Sequence, residues 1–337
     1  MSNFNLRRLS PEQQKKVKDE RDKKQRDEML QAAIDKINQG IERKVSRSGE
    51  RAIWELVQNA RDLAINNQAV IKIVLDNDGL HFLHQGMPFT IDTLSNLIKQ
   101  QSTKLNDKDA VGQYGTGFMT THIFNRKVYI CGDCKIDCGD DCIYVPLPEG
   151  FCLNRDFTDE ESDAFRKELD SELNAVEDLR LSAGNDEAQP WTEFRYELTD
   201  YKKQKLSAQL DKVRSLMPFV MVLNERIQEC TIIDKLKDKE FKFTQGMTIE
   251  VDNNFDNNNS KHFLNKVVMT SGECEEEIEL HTLVSADKLD VVFIPPMPPM
   301  YSDMSQIPSE FLYFPLLGSE NFGMNFIIHS NRMYPQE

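Results

Sequence analysis

The sequence predicts an α/β fold, and three stretches carry that prediction. "GERAIWELVQNARDLAINN" has the spacing of an amphipathic helix, "AVIKIVLDNDGLHFLHQG" alternates with period two around a turn signal, and from about residue 226 short β-type runs take over. At roughly 100° per residue, Ile53, Leu56, Val57, Ala60, Leu63 and Ala64 gather on one side of the helix and Glu55, Asn59, Asp62 and Asn66 on the other. Asn and Asp side chains compete for backbone hydrogen bonds, so both are weak choices inside a helix. The stripe is either a solvated face or an oxygen-rich surface kept for a second purpose.

The other elements follow in order. Residues 11 to 46 read as a charge-dense, mostly helical lead-in. The runs flanking "NDG" read as a β-hairpin. "MPFTIDTLSNLIKQQSTK" contains a short helix, and "VGQYGTGFMTTHIF" is a glycine-rich loop running into a helix. Residues 155 to 190 are acidic and partly helical, ending in a surface loop. "WTEFRYEL" is a strand and "YKKQKLSAQLDKVRSLMPFVMVL" an amphipathic helix. "RIQECTIID", "KEFKFTQGMTIEV", "KVVMTS", "EEIELHTLV" and "KLDVVFI" are strands, and no internal repeat is present.

Composition bounds the function. A chain of 337 residues with 39% hydrophobic and 29% charged content is long enough for two domains. No apolar run nears the roughly 20 residues that span a bilayer, and the opening "MSNFNLRRLSPEQQKKVKDERDKK" lacks a signal-peptide core, so a cytoplasmic address and no membrane partner are expected. A net charge of −15 disfavours direct nucleic-acid binding. Seven cysteines in such a chain read as thiols. Four of them, Cys131, Cys134, Cys138 and Cys142 in "CGDCKIDCGDDC", lie within twelve residues that read as strand, turn and strand. Zinc ligands come in couples separated by a longer loop, so a thiol-rich hairpin without metal is the expectation.

In "GQYGTG", Gly112, Gly115 and Gly117 permit close backbone approach, and a helix N-terminus behind them suits a phosphate chain. The order is not that of a dinucleotide fold, where the glycines follow the first strand, and no "GK[ST]" makes it a Walker loop. "ELVQNARD", "HQGMPF", "STK", "GQYGTGF" and "WTEFRYEL", in that order, resemble the Bergerat-fold ATP-binding domain of the GHKL superfamily, which includes gyrase B subunits, MutL proteins, histidine kinases and heat-shock chaperones. The pattern is most similar to the sacsin-like and chaperone-like members. It covers most of residues 45 to 200 and continues faintly through "FPLLGSENFGMNFIIHSNRMYPQE".

The resemblance implies an α/β sandwich with a mixed, mainly antiparallel sheet under helices, followed by a transducer- or middle-domain-like α/β segment. The corresponding domains are a lead-in at 1–45, an ATP-binding domain at 46–225 with the acidic insert at about 155–190, and an incomplete β-rich domain at 226–337. It implies ATP and Mg2+ as cofactors, with Asn59 completing the magnesium shell and Glu55 orienting or deprotonating the attacking water. Such a division suits an oxygen-seeking ion and a reaction governed by positioning. Asp62 matches the family helix in a supporting role. Ser102, Thr103 and Lys104 fall where the family begins its lid, with the Lys104 ammonium offsetting phosphate charge. Gly112 opens the loop, and the backbone amides of Gly115, Thr116, Gly117 and Phe118 would cradle phosphates. The loop between about Ser102 and Gly117 is expected to be a mobile lid.

Thr192 falls at the family's late-strand threonine near adenine, and Gly86 keeps backbone close to the base. Met87 and Phe89 are pocket wall or plain core. The family's aspartate in the second motif is replaced by His84, whose neutral ring accepts one hydrogen bond and, with an ordinary pKa, would lose that capacity between about pH 7.5 and about pH 5.5. Two functions stay open: a chaperone-like or conformational-switch ATPase, and a binding module that turns nothing over. A nucleotide-dependent homodimer and further domains or protein partners beyond "NRMYPQE" complete the expectations.

Overall fold

The computed structural model describes residues 9–44, 49–100, 117–251, 260–285, 289–293, 307–320 and 325–330. Its elements are helix α1 (Pro11–Lys44), α2 (Gly49–Asp62), strands β1 (Ala69–Leu75), β2 (Gly79–Gln85) and β3 (Phe89–Thr90), α3 (Ile91–Ile98), β4 (Lys127–Cys131), β5 (Asp133–Cys138), β6 (Asp141–Pro146) and β7 (Cys152–Asn154). Then come α4 (Ser162–Asp178), β8 (Trp191–Glu197), α5 (Asp200–Leu223), β9 (Ile227–Asp234), β10 (Lys239–Val251), β11 (Ser260–Ser271), β12 (Cys274–Ser285), β13 (Leu289–Phe293), β14 (Glu310–Leu312), β15 (Phe314–Pro315) and β16 (Phe326–Ser330).

The fold is α/β with a mixed, mainly antiparallel sheet. Among the described residues thirteen strands run in the order β15-β14-β16-β13-β12-β11-β10-β9-β1-β2-β8-β4-β7, and β3, β5 and β6 form a small second sheet. The hairpin around "NDG" is β1–β2, with Leu75 opposite Leu80 and Ile73 opposite Phe82. Asp76 closes its turn by accepting from the backbone N–H groups of Asp78 and Gly79. Alternation along β1, β2, β8 and β9 sends Ile71, Ile73, Phe82, Tyr196, Cys230 and Ile232 into the core. The opposite face carries His81, Glu193 and Arg195.

The helices cover the apolar face. The stripe read on α2 buries Ile53, Leu56, Val57 and Ala60. Thr90 caps α3 in a reciprocal box with Thr93. In α1 the first half stands in solvent, while Leu30, Ala33, Ile34, Ile37 and Ile41 are buried at helical spacing. The acidic insert supplies α4. It is tied down by Arg155, whose side chain is 0% exposed and makes a two-pronged pair with Glu172 at 2.7 and 2.8 Å. Strand β9 leaves α5 and enters the sheet parallel to β1, with Ile71 beside Cys230 and Ile73 beside Ile232. One sheet therefore runs through the position near 225 where the sequence places a domain boundary.

"CGDCKIDCGDDC" forms β5, a turn and β6, with Cys138 opposite Asp141 and Asp137 opposite Cys142. Pleating sends Cys134 and Cys138 to one face and Cys142 to the other. Among the described residues no three metal-capable side chains gather, and no helix is long and apolar enough to cross a membrane.

Candidate functional site

The polar stripe of α2 is shorter than its periodicity suggests. The helix stops at Asp62, and Asn66 has φ 53° in the turn that follows, where the Gln68 N–H donates to the Ile65 carbonyl. Asn tolerates the left-handed region, so the residue that looked like a fourth member of the stripe makes the turn instead. Glu55, whose side chain is 21% exposed, keeps Arg51 at 3.9 Å one turn away. Asp62 is 3% exposed and holds Arg61 at 2.9 Å.

Gly117 meets this helix directly. A Cβ built on it would lie 2.1 Å from Glu55 Oε2, so only glycine leaves the carboxylate where it is. The segment after it was expected to enter a helix. It winds as a 3-10 helix, Gly117–Ile123, with the five successive residues Phe118 to His122 buried.

A second group of side chains collects on Phe194. His84 lies opposite Thr192 across β2 and β8, and both are buried. The His84 ring stacks on Phe194 at 6.2 Å, Phe118 lies 5.3 Å from the same ring, and Phe89 meets it edge-on at 6.4 Å. Gly86 passes so close to the end of α2 that a Cβ would lie 2.8 Å from the Leu63 carbonyl oxygen and 3.1 Å from His84 Nδ1. The next N–H, of Met87, donates to that carbonyl at 2.8 Å. Met87 itself is 51% exposed and is not core.

The structure thus brings Glu55 to Gly117, and His84, Gly86, Thr192 and Phe118 to one another beside the end of the helix that carries Asn59 and Asp62. Ser102, Thr103, Lys104, Gly112, Gly115 and Thr116, with nearly all of the expected lid, lie outside the described residues. Sequence reasoning missed Phe194, which the inward alternation of "WTEFRYEL" could have revealed. It also missed Arg61, whose guanidinium lies 5.4 Å from the ring centre of Tyr313. Tyr313 itself adopts φ 62° and donates its N–H to His329 Nδ1. No local signal links residues so far apart.

No family model matches the chain, and no curated protein matches it. Among solved structures it is similar to the B-subunit of DNA gyrase from Myxococcus xanthus, at 8% identity and a TM-score of 0.32, over 64% of this chain and 60% of that one. The chain spans less than two thirds of that subunit. Its site is therefore argued from its own geometry.

His84 does not behave as an ordinary histidine. Burial pulls its pKa down to about 4, a Gln85 backbone contact opposing this, and Nδ1 has no hydrogen-bond partner among the described residues. The titration expected between about pH 7.5 and about pH 5.5 moves below that window, because an enclosed imidazolium loses its hydration. His122, also buried, is pulled down to about 3 by burial and by the Arg155 charge. Both folded-state values lie below the unfolded one, so below about pH 6.5 the unfolded chain takes up protons the folded chain refuses. Stability is then lost as pH falls, with a combined slope of about 3 kcal/mol per pH unit between about pH 6 and about pH 4. Urea midpoints across that range should show it, and His122→Leu should remove about half of the slope from this pair. An unchanged slope in His122→Leu would remove His122 from the account.

Proposed function

We propose that this chain is a Bergerat-type ATP-binding module that hydrolyses ATP slowly with magnesium. The observation that carries the reading is the contact of the Glu55 carboxylate with Gly117. An acid on one helix meets the last glycine of a phosphate-type loop from 62 positions away in the chain. The ordered sequence motifs support it, and so does the second cluster.

The residues fit the groups they would hold. Asn59 would offer its carboxamide oxygen to magnesium, the hard cation such donors suit. The N-terminal end of the 3-10 turn, at Gly117 and Phe118, would face phosphate oxygens, with Gly115, Thr116 and Lys104 assigned beside them by the motifs. His84, with an acceptor-capable Nδ1 lacking a partner, would receive the exocyclic amine of adenine, with Gly86 and Thr192 lining that end. Magnesium would supply charge neutralisation on the phosphates. Glu55 would orient a water and take its proton on a carboxylate oxygen, and Asp62, held by Arg61, would fix the end of the helix that carries both. The segment from 226 onward, joined to the same sheet, would receive the rearrangement as a transducer.

A second reading has its own support. Arg51 stands 3.9 Å from Glu55 and competes for the carboxylate, and His84 replaces an anionic acceptor by a neutral one. Both favour a module that binds nucleotide and does not turn it over.

Thermal shift with ATP, ADP and GTP, with and without magnesium, tests the binding that both share. At about 100 times the dissociation constant a ligand adds about 2.7 kcal/mol, which for a chain of this size raises Tm by about 4 °C. Magnesium-ATP is expected to do so and GTP not. Because His84 stays neutral, affinity should be flat from about pH 7.5 to about pH 5.5 and fall only toward pH 4. Absence of a shift with every nucleotide would remove the proposal.

A further inference from the structure

We propose that His262 and His281 form a chelating site for a divalent transition-metal ion, on the opposite side of the chain order from the nucleotide motifs and independent of them. The register of β11 and β12 sets Leu264 opposite His281 and His262 opposite Leu283, so the two histidines are diagonal neighbours on one face of the sheet. His262 Nε2 and His281 Nδ1 lie 2.9 Å apart, with ring centres at 5.1 Å. One ring donates its N–H to the lone pair of the other, so two nitrogens from adjacent strands already meet.

To chelate, the pair must give up the shared proton and turn both rings so that the lone pairs meet at one ion instead of lying along the line between the nitrogens. Two imidazole nitrogens each about 2.05 Å from an ion and at right angles to one another lie about 2.9 Å apart, while at the tetrahedral angle they lie about 3.3 Å apart. Two cis imidazoles with water in the remaining positions suit an octahedral or tetragonal ion, the preference of Ni2+ and Cu2+. Imidazole is a borderline donor that Mg2+ does not seek, so the pair discriminates against the ion assigned to Asn59. His281 is exposed and His262 half-buried, which leaves an approach from solvent. The strand pairing fixes the two backbones, so little freedom is lost when the ion replaces the proton. Among the described residues no third metal-capable side chain joins them. The remaining positions are filled by water, and the site is exchangeable.

Titration calorimetry of the full chain with NiCl2, and with MgCl2 for contrast, tests the site. One nickel ion is expected, and His262→Asn and His281→Asn should each weaken it by at least about tenfold, since even an outer-shell partner is worth 10–100-fold. Nickel should raise the Tm of the wild type and of neither variant. Chelation makes the two losses equal, because neither ring holds the ion tightly without the other. If each substitution removes only half of the bound nickel, the histidines act separately and the proposal fails. It fails equally if both variants bind nickel as the wild type does, the ion then sitting on thiols such as Cys138, or if the wild type takes up none.

Discussion

Replacing Glu55 by alanine is expected to lower ATP hydrolysis by about two orders of magnitude or more, the effect of losing a general base, while magnesium-ATP binding stays within a few fold. The carboxylate stands against Gly117 and does not hold the ion in the proposed arrangement, so its loss should be felt in turnover. Asn59→Ala should do the reverse in part and weaken binding of the magnesium complex more than that of free ATP. The two substitutions lie one turn apart on α2, and together they separate a proton-handling role from a metal-holding one. Single-turnover rates and a binding isotherm for each variant, both first shown to be folded, give the comparison. Wild-type turnover in Glu55→Ala would end the catalytic assignment. Tight ATP binding without any turnover in the wild type would make the non-hydrolysing module the better reading.

The largest expected effect on stability comes from the acidic insert. In Glu172→Ala the Arg155 guanidinium, 0% exposed, loses both carboxylate oxygens and, among the described residues, keeps only the carbonyls of Asn154 and Ile98. Removing one partner of a buried pair leaves an uncompensated charge and costs about 3–5 kcal/mol. In a chain of this size that lowers Tm by roughly 4–7 °C. The Asn154 N–H, which donates to Glu172 at 2.9 Å, loses its acceptor in the same step. The double variant Arg155→Met, Glu172→Leu should recover much of the loss, because a buried ion pair can be exchanged for apolar groups of similar volume at little net cost. A Glu172→Ala chain that unfolds within about 1 kcal/mol of the wild type in urea would mean that water reaches the guanidinium and that the insert is not anchored there. The pair also holds the Ile98 carbonyl at the end of α3, so the insert supports the core instead of decorating its surface.

Periodicity and turn chemistry were enough to read most elements. The period of "RAIWELVQNA" fixed which side of α2 is buried, and "NDG" fixed the β1–β2 hairpin, because both signals act between residues a few positions apart. The same locality explains the misreadings. Asn66 fits the helical stripe by angle, yet its backbone turns away. "GFMTTHIF" follows a glycine loop, yet it winds as a 3-10 helix with nearly every residue buried. His84 has the ordinary titration of its residue type on paper and a pKa near 4 under Phe194.

By itself the sequence determined the α/β class, strands β9, β10, β12 and β13 with the second half of β11, the apolar face of α2 and the identities of Glu55, Asn59, His84 and the glycines as residues worth watching. Only the tertiary structure decided what they touch. It set Gly117 on the Glu55 carboxylate, enclosed His84 opposite Thr192, and joined Arg155 to Glu172. It also set the Arg61 guanidinium over the Tyr313 ring, and turned His262 toward His281. Helical and strand preferences come from sterics within a few residues, whereas contact, burial and the pKa values they shift depend on which distant segments the packed core brings together.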